Sequence, residues 1–133
     1  MKYLTIATLA ASVLAVAPAG AVGEEGDAPR CVRLININGY SVIDREHVVL
    51  RGGANRHYLL TTRYSCPDLN YGIRISTSFP NSTTLCAPMI EYITPENGMR
   101  CSIDTVEAVD SVDAARELIS ARAEVDAQAA NQE

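Results

Sequence analysis

Four cysteines are the residues whose type and spacing most clearly indicate a covalent role. They are Cys31, Cys66, Cys86 and Cys101 in a chain of 133 residues. No two of them have the Cys-x-x-Cys spacing that is typical of zinc knuckles and thioredoxin-like redox sites. An even number of cysteines in a small exported chain predicts structural cross-links. We therefore expect two disulfides, with no cysteine in metal binding or redox catalysis.

The two histidines, His47 and His57, are the side chains that could transfer a proton near neutral pH. The segment between them predicts a hairpin, with one histidine on each strand. A four-residue loop would place the imidazoles on opposite faces, and a five-residue loop would place them on one face about 13 Å apart. Neither register predicts a shared metal site, and the sequence has no Gly-x-Ser-x-Gly nucleophile motif. We expect no catalytic residue, no metal ligand, no cofactor and no enzymatic activity.

The tyrosines could line a ligand groove, because each ring offers apolar surface and each hydroxyl a hydrogen bond. The same side chains commonly complete the core of a small β domain, with the hydroxyl at its rim. Both interpretations stay open. Tyr58, Tyr71 and Tyr92 are the candidate ligand-binding residues.

Residues 1–21 have the pattern of a secretory signal peptide. Lys2 supplies a positive start, an apolar stretch follows, and Pro18 precedes the small residues expected at a cleavage site. We predict cleavage between Ala21 and Val22. The alternative is an uncleaved anchor, but an apolar run of about 14 residues is short of the roughly 20 that span a bilayer. The expected location is the periplasm or the secreted fraction, with no membrane span in the mature chain.

Charge is distributed unevenly along this chain, whose net charge is −5. Residues 22–30 are an acidic leader that we expect to be flexible. Residues 30–101 hold eight arginines against five acidic residues, a net +3, and residues 102–133 hold two arginines against eight acidic residues, a net −6. Because the arginines are scattered rather than clustered, we expect no nucleic-acid partner.

Residues 31–109 have the short β-branched runs and turn signals of a mainly β domain. About seven short strands with frequent turns predict a small antiparallel barrel or sandwich. The predicted strands cover residues 32–37, 40–43, 47–51, 57–62, 72–78, 89–93 and 100–108.

The apolar period changes after residue 109. Asp110 or Ser111 can cap a helix, and the chain beyond Arg122 offers so little apolar surface that we expect it to fray. Residues 110–133 are thus predicted to form an acidic C-terminal helix with a frayed tail. The apolar stripe of this helix comprises Val112, Ala115, Leu118 and Ile119.

Four cysteines allow three disulfide pairings. In a closed barrel the first and last strands are neighbours, which favours the nested pairing of Cys31 with Cys101 and Cys66 with Cys86. The sequential pairing, Cys31 with Cys66 and Cys86 with Cys101, suits a sandwich or open sheet and is the alternative.

The cysteines and the residues around them resemble a family of small exported proteobacterial proteins that is catalogued as a domain of unknown function. The resemblance covers roughly residues 31–108 and implies a periplasmic setting, but it implies no activity and no site residues. The acidic helix lies outside it. The matching segments are Tyr58-Leu59-Leu60-Thr61, Cys66-Pro67-Asp68-Leu69, Leu85-Cys86 and Cys101-Ser102-Ile103.

Three classes of function follow from these patterns. A non-catalytic interaction or envelope accessory module, with an envelope or periplasmic protein as its partner, is the leading hypothesis. An exposed apolar patch or an open sheet edge would favour it. A small-ligand-binding barrel with a tyrosine-lined pocket is the first alternative, and a hydrolase-type enzyme is the second.

Overall fold

The computed structural model describes residues 30–70, 74–96 and 98–132, and within these ranges the predicted mainly β fold with a C-terminal helix is confirmed. The predicted signal peptide, its cleavage site at Ala21 and Val22, the leader up to residue 29 and Tyr71 lie outside the described residues. The elements are β1 (Cys31–Leu34), β2 (Gly39–Val42), β3 (His47–Gly52), β4 (Arg56–Thr62), a 3-10 helix (Pro67–Asn70), β5 (Ile75–Thr77), β6 (Thr83–Cys86), β7 (Tyr92–Pro95), β8 (Cys101–Val109) and α1 (Val112–Ala130).

Six strands form an antiparallel sheet that curves into a half-barrel, in the order β2-β3-β4-β8-β7-β5. The pairing of β4 with β8 runs from His57 opposite Val109 to Thr62 opposite Ile103, with a bulge near Thr61. Strand β8 also pairs with β7, where Tyr92 lies opposite Ser102, so β8 joins the two halves of the sheet.

The first strand pairs with a strand that the sequence analysis missed. β1 and β6 form a separate two-stranded antiparallel sheet. We expected the first and last strands to be neighbours in a closed barrel. That expectation is wrong, because β1 pairs with β6 and not with β8. Its end is tied to the β3–β4 hairpin by the Gly53 N–H, which donates to the carbonyl oxygens of Ile35 and Asn36 at 3.1 Å each. The strand predicted at 89–93 also begins later, at Tyr92.

Both faces of the six-stranded sheet are covered, which explains why β3 contains three consecutive buried residues. Successive side chains of a strand point to opposite faces. Val48 and Leu50 enter the main core inside the half-barrel, whereas Val49 packs on the outer face with Leu59 and with Ala115 of the helix.

Helix α1 lies on this outer face and begins as predicted. Ser111 is the N-cap, and its hydroxyl accepts a hydrogen bond from the Ala114 N–H at 3.0 Å. The predicted stripe packs there: Ala115 is buried, with Val112, Leu118 and Ile119 beside it. The helix continues to Ala130, past the point where we expected fraying. Neither α1 nor any other described helix is long and apolar enough to cross a membrane.

The β3–β4 hairpin turns through three residues, Gly53 to Asn55, since Gly52 pairs with Arg56. Both loop lengths that we considered are longer than this turn. The register is nevertheless the one expected for the five-residue loop, with the histidines on one face, and the alternative with opposite faces is wrong. His47 pairs with Thr61 and His57 with Arg51, so the two imidazoles share a face at well-separated positions.

Both predicted disulfide pairings are wrong, because the structure joins Cys31 to Cys86 and Cys66 to Cys101. The pairing of β1 with β6 sets Cys31 directly opposite Cys86, with the Cα atoms 4.0 Å apart. The chain after β4 runs beside the start of β8, where the Arg63 N–H donates to the Ser102 carbonyl. This brings Cys66 to Cys101, with a Cα separation of 6.0 Å. The two loops therefore interleave.

Truncation of the helix gives a test of how much its last turns stabilise the domain. Arg122 donates two hydrogen bonds of 2.9 Å to the Glu107 carboxylate of β8, and this hydrogen bonding raises the pKa of Arg122. Exposed ion pairs contribute about 0.2–1 kcal/mol, so truncation after Ala121 should lower the thermal midpoint by only a few degrees. Truncation after Ala123 keeps the pair and should change the midpoint less. A loss of many degrees in the second variant would show that the exposed end of the helix is structural.

Candidate functional site

The candidate tyrosines do not form one pocket. Tyr58 is 4% exposed and belongs to the main core, whereas Tyr92 is half-buried on β7, where the Arg100 guanidinium lies 4.5 Å from its ring centroid. Tyr71 lies outside the described residues. Tyr58 therefore packs in the main core, and Tyr92 takes part in a cation–π contact.

The histidines make local backbone and turn contacts. His47 Nδ1 lies 2.8 and 2.9 Å from the two carboxylate oxygens of Asp44, and the Glu46 N–H donates to the same carboxylate at 2.8 Å. These bonds hold the turn between β2 and β3. His57 Nδ1 lies 3.1 Å from the Asn55 carbonyl. Within the described ranges, no three His, Cys, Asp or Glu side chains are placed to hold a metal ion.

A groove of about 430 Å3 lies beside the Cys66–Cys101 disulfide, and we call it the disulfide groove. Two large apolar side chains flank it and are turned to solvent: Tyr64 is 77% exposed and Met99 is 81% exposed. Its described lining is Tyr64, Ser65, Cys66, Pro67, Asp68, Met99, Arg100, Cys101 and Ser102.

Backbone contacts fix the two segments that form this groove. The Cys66 N–H donates to the Arg45 carbonyl at 2.8 Å, and the Leu69 N–H donates to the Cys66 carbonyl at 3.1 Å as the 3-10 helix begins. On the other side, Gly98 approaches Asp68 so closely that a Cβ there would lie 2.8 Å from the Asp68 side chain. The disulfide then joins the segments covalently, so the groove is a constrained surface.

The groove carries groups suited to recognition. An aromatic ring, a flexible thioether and a guanidinium are enriched where proteins bind one another, and here they are Tyr64, Met99 and Arg100. This arrangement can bind an apolar side chain of a partner.

Sequence reasoning missed Met99 and did not choose Tyr64 among the tyrosines. A signal was present, since Tyr64 lies two residues before Cys66 and Met99 two residues before Cys101. The Cys66–Cys101 bond joins the two segments that carry these residues, so both line one groove. The signal could be used only with the correct pairing, which the sequence left open.

Comparison with models of protein families identifies a family for this chain. No curated protein and no solved structure matches it. One family model, described as a family of unknown function, matches residues 1–125. The match is longer than the resemblance seen in the cysteine pattern. It includes the N-terminal segment and α1 as far as Val125, so our placement of the helix outside the family was wrong. The chain belongs to this family of unknown function, DUF6491.

Proposed function

We propose that this protein is an exported, non-catalytic interaction module that binds an envelope or periplasmic protein through the disulfide groove. The observation that carries the proposal is the exposure of Tyr64 and Met99 on either side of that groove. Large apolar side chains grouped on a surface are typical of protein–protein contact sites.

The energetics favour a protein partner. Complete burial of a large apolar side chain stabilises a complex by about 1.5–3 kcal/mol, and Tyr64 and Met99 are mostly exposed in the free chain. Binding also costs free energy when a flexible surface becomes ordered. The Cys66–Cys101 disulfide and the backbone bonds at Cys66 constrain the groove beforehand, so that cost is small here.

Two observations support export to the periplasm or the medium. Disulfides form and persist in oxidising compartments, and all the described cysteines are paired. Residues 1–21 have the composition of a secretory signal peptide.

Photocrosslinking in the native cell tests the proposal. A photoreactive amino acid placed at Tyr64 should give an adduct with one envelope or periplasmic protein, identified by mass spectrometry. The same amino acid at Val125, an apolar site that is 63% exposed on the helix, is the matched control and should give no such adduct. Adducts of equal yield at both positions, or none at Tyr64, would overturn the proposal.

A further inference from the structure

A second cleft, larger than the disulfide groove, lies at the other end of β8. It is an open depression of about 560 Å3 between β1, the tip of the β3–β4 hairpin and the junction of β8 with α1. Pockets of about 300–1,000 Å3 are typical of small-molecule sites. Its described lining includes Val32, Arg33, Ile35, Arg56, His57 and Val109.

The cleft combines positive charge with apolar surface. Arg33, Arg56 and His57 supply the basic groups, and Asp110 is the one carboxylate among its described lining residues. Among the residues that the structure describes, neither Arg33 nor Arg56 forms an ion pair. Arg56 Nη1 donates a hydrogen bond to the Gly53 carbonyl at 3.1 Å. Both guanidinium groups are therefore available to an anion, although the chain as a whole carries a net charge of −5.

The walls of the cleft are constrained before any ligand binds. The hairpin tip is bonded to the end of β1 through the Gly53 N–H, and the Cys31–Cys86 disulfide holds the start of β1. Ala54 and Asn55 both have a φ of 57°, a left-handed conformation that is uncommon in residues other than glycine and that tends to occur at binding sites. The hydrogen bonds and the disulfide restrict the movement of β1 relative to the hairpin.

His57 is oriented by the same turn. Its Nδ1 lies 3.1 Å from the Asn55 carbonyl, and a carbonyl oxygen can only accept a hydrogen bond. The Nδ1–H therefore donates, which fixes the ring and leaves Nε2 for other partners.

We propose that this cleft binds a small anionic amphiphile. Its carboxylate or phosphate group is held by Arg33 and Arg56, and its apolar part lies against Val32, Ile35 and Val109. Guanidinium groups bind both anions with paired hydrogen bonds, so a fatty-acid carboxylate and a lipid-derived phosphate share the required chemistry. The inference does not depend on the disulfide groove.

Titration calorimetry with octanoate and octyl phosphate tests the inference on the purified exported protein. Both probes should bind with one saturable site, and the tighter of the two identifies the source of the anion. Octanol has the same alkyl chain without the charge, and inorganic phosphate has the charge without the alkyl chain. Each should bind at least about tenfold more weakly than octyl phosphate, because charged hydrogen bonds and apolar burial both contribute to the affinity.

Matched arginine variants distinguish binding in the cleft from non-specific attraction of the anion to positive charge on the protein surface. Arg33→Gln with Arg56→Gln should weaken octyl phosphate binding by at least about tenfold, and amide NMR shifts on titration should map to the cleft residues. Arg45→Gln removes an exposed charge outside the cleft and should leave the affinity unchanged. An equal loss of affinity in the cleft double variant and in Arg45→Gln would overturn the inference. Binding to phosphatidylglycerol vesicles without binding of the monomeric probes would overturn it as well.

Discussion

Replacing Cys66 and Cys101 together with alanine should lower the free energy of unfolding by about 4 kcal/mol. The two residues are 35 positions apart in the chain, and a cross-link over such a loop restricts the unfolded chain strongly. Cys66 is also 2% exposed in the main core, so its loss removes packing as well. Urea denaturation of the variant and the wild type measures the difference.

The Cys31→Ala and Cys86→Ala double variant is the matched comparison. Its loop spans 55 positions, and the same chain-entropy argument predicts a loss of about 4 kcal/mol. Cys31 is exposed, so little packing is lost with it. An unfolding free energy unchanged in either double variant would contradict the interleaved pairing.

Thiol labelling of a single variant tests the connectivity itself. In Cys66→Ala the cysteine left without a partner should be Cys101, and alkylation followed by peptide mapping identifies it. A label on Cys86 would restore the nested pairing, and a label on Cys31 the sequential one.

The substitution Gly52→Ala should destabilise the domain by about 1–3 kcal/mol, the usual range for overpacking. A Cβ at this position would lie 2.6 Å from the Ile35 carbonyl oxygen and 3.2 Å from the Tyr58 ring. The first contact is with backbone that is already bonded to Gly53, so it can yield only if β1 moves away from the hairpin. Thermal unfolding measures the effect.

Gly39→Ala is the control for this substitution, because its closest neighbours belong to the flexible end of the Arg51 side chain, the nearest at 3.0 Å. A guanidinium at the surface can move aside, so the free energy of unfolding should change by less than about 0.5 kcal/mol. Equal effects at the two glycines would show that the contact between β1 and the hairpin does not stabilise the fold.

Local signals predicted the parts of the fold that depend on near neighbours in sequence. The β3–β4 hairpin and the capped helix at Ser111 were found because turn chemistry, alternation and the helical stripe act over a few residues. Strand β6 was missed because its partner is β1, far away in the chain. The short run Thr83–Cys86 follows loop-forming residues and has little pattern of its own.

The candidate site was less predictable than the fold, because it too depends on contacts between residues that are far apart in the sequence. Tyr64 and Met99 come together only through the contact of the chain after β4 with the start of β8 and through the Cys66–Cys101 bond. Tyr58, chosen from the sequence for its amphipathic ring, is a core residue because its strand position faces the interior of the half-barrel. The sequence shows which side chains have suitable chemistry, but tertiary contacts determine where each of these side chains lies in the fold.

The most direct test of the proposed interaction measures the affinity of the crosslinked partner for groove variants by titration calorimetry. Tyr64→Ala with Met99→Ala should weaken binding by roughly 30-fold or more, as expected for central interface residues, with the thermal midpoint unchanged because both side chains are exposed. Val125→Ala should bind like the wild type. Undiminished affinity in the groove variant, or an equal loss in Val125→Ala, would contradict the account.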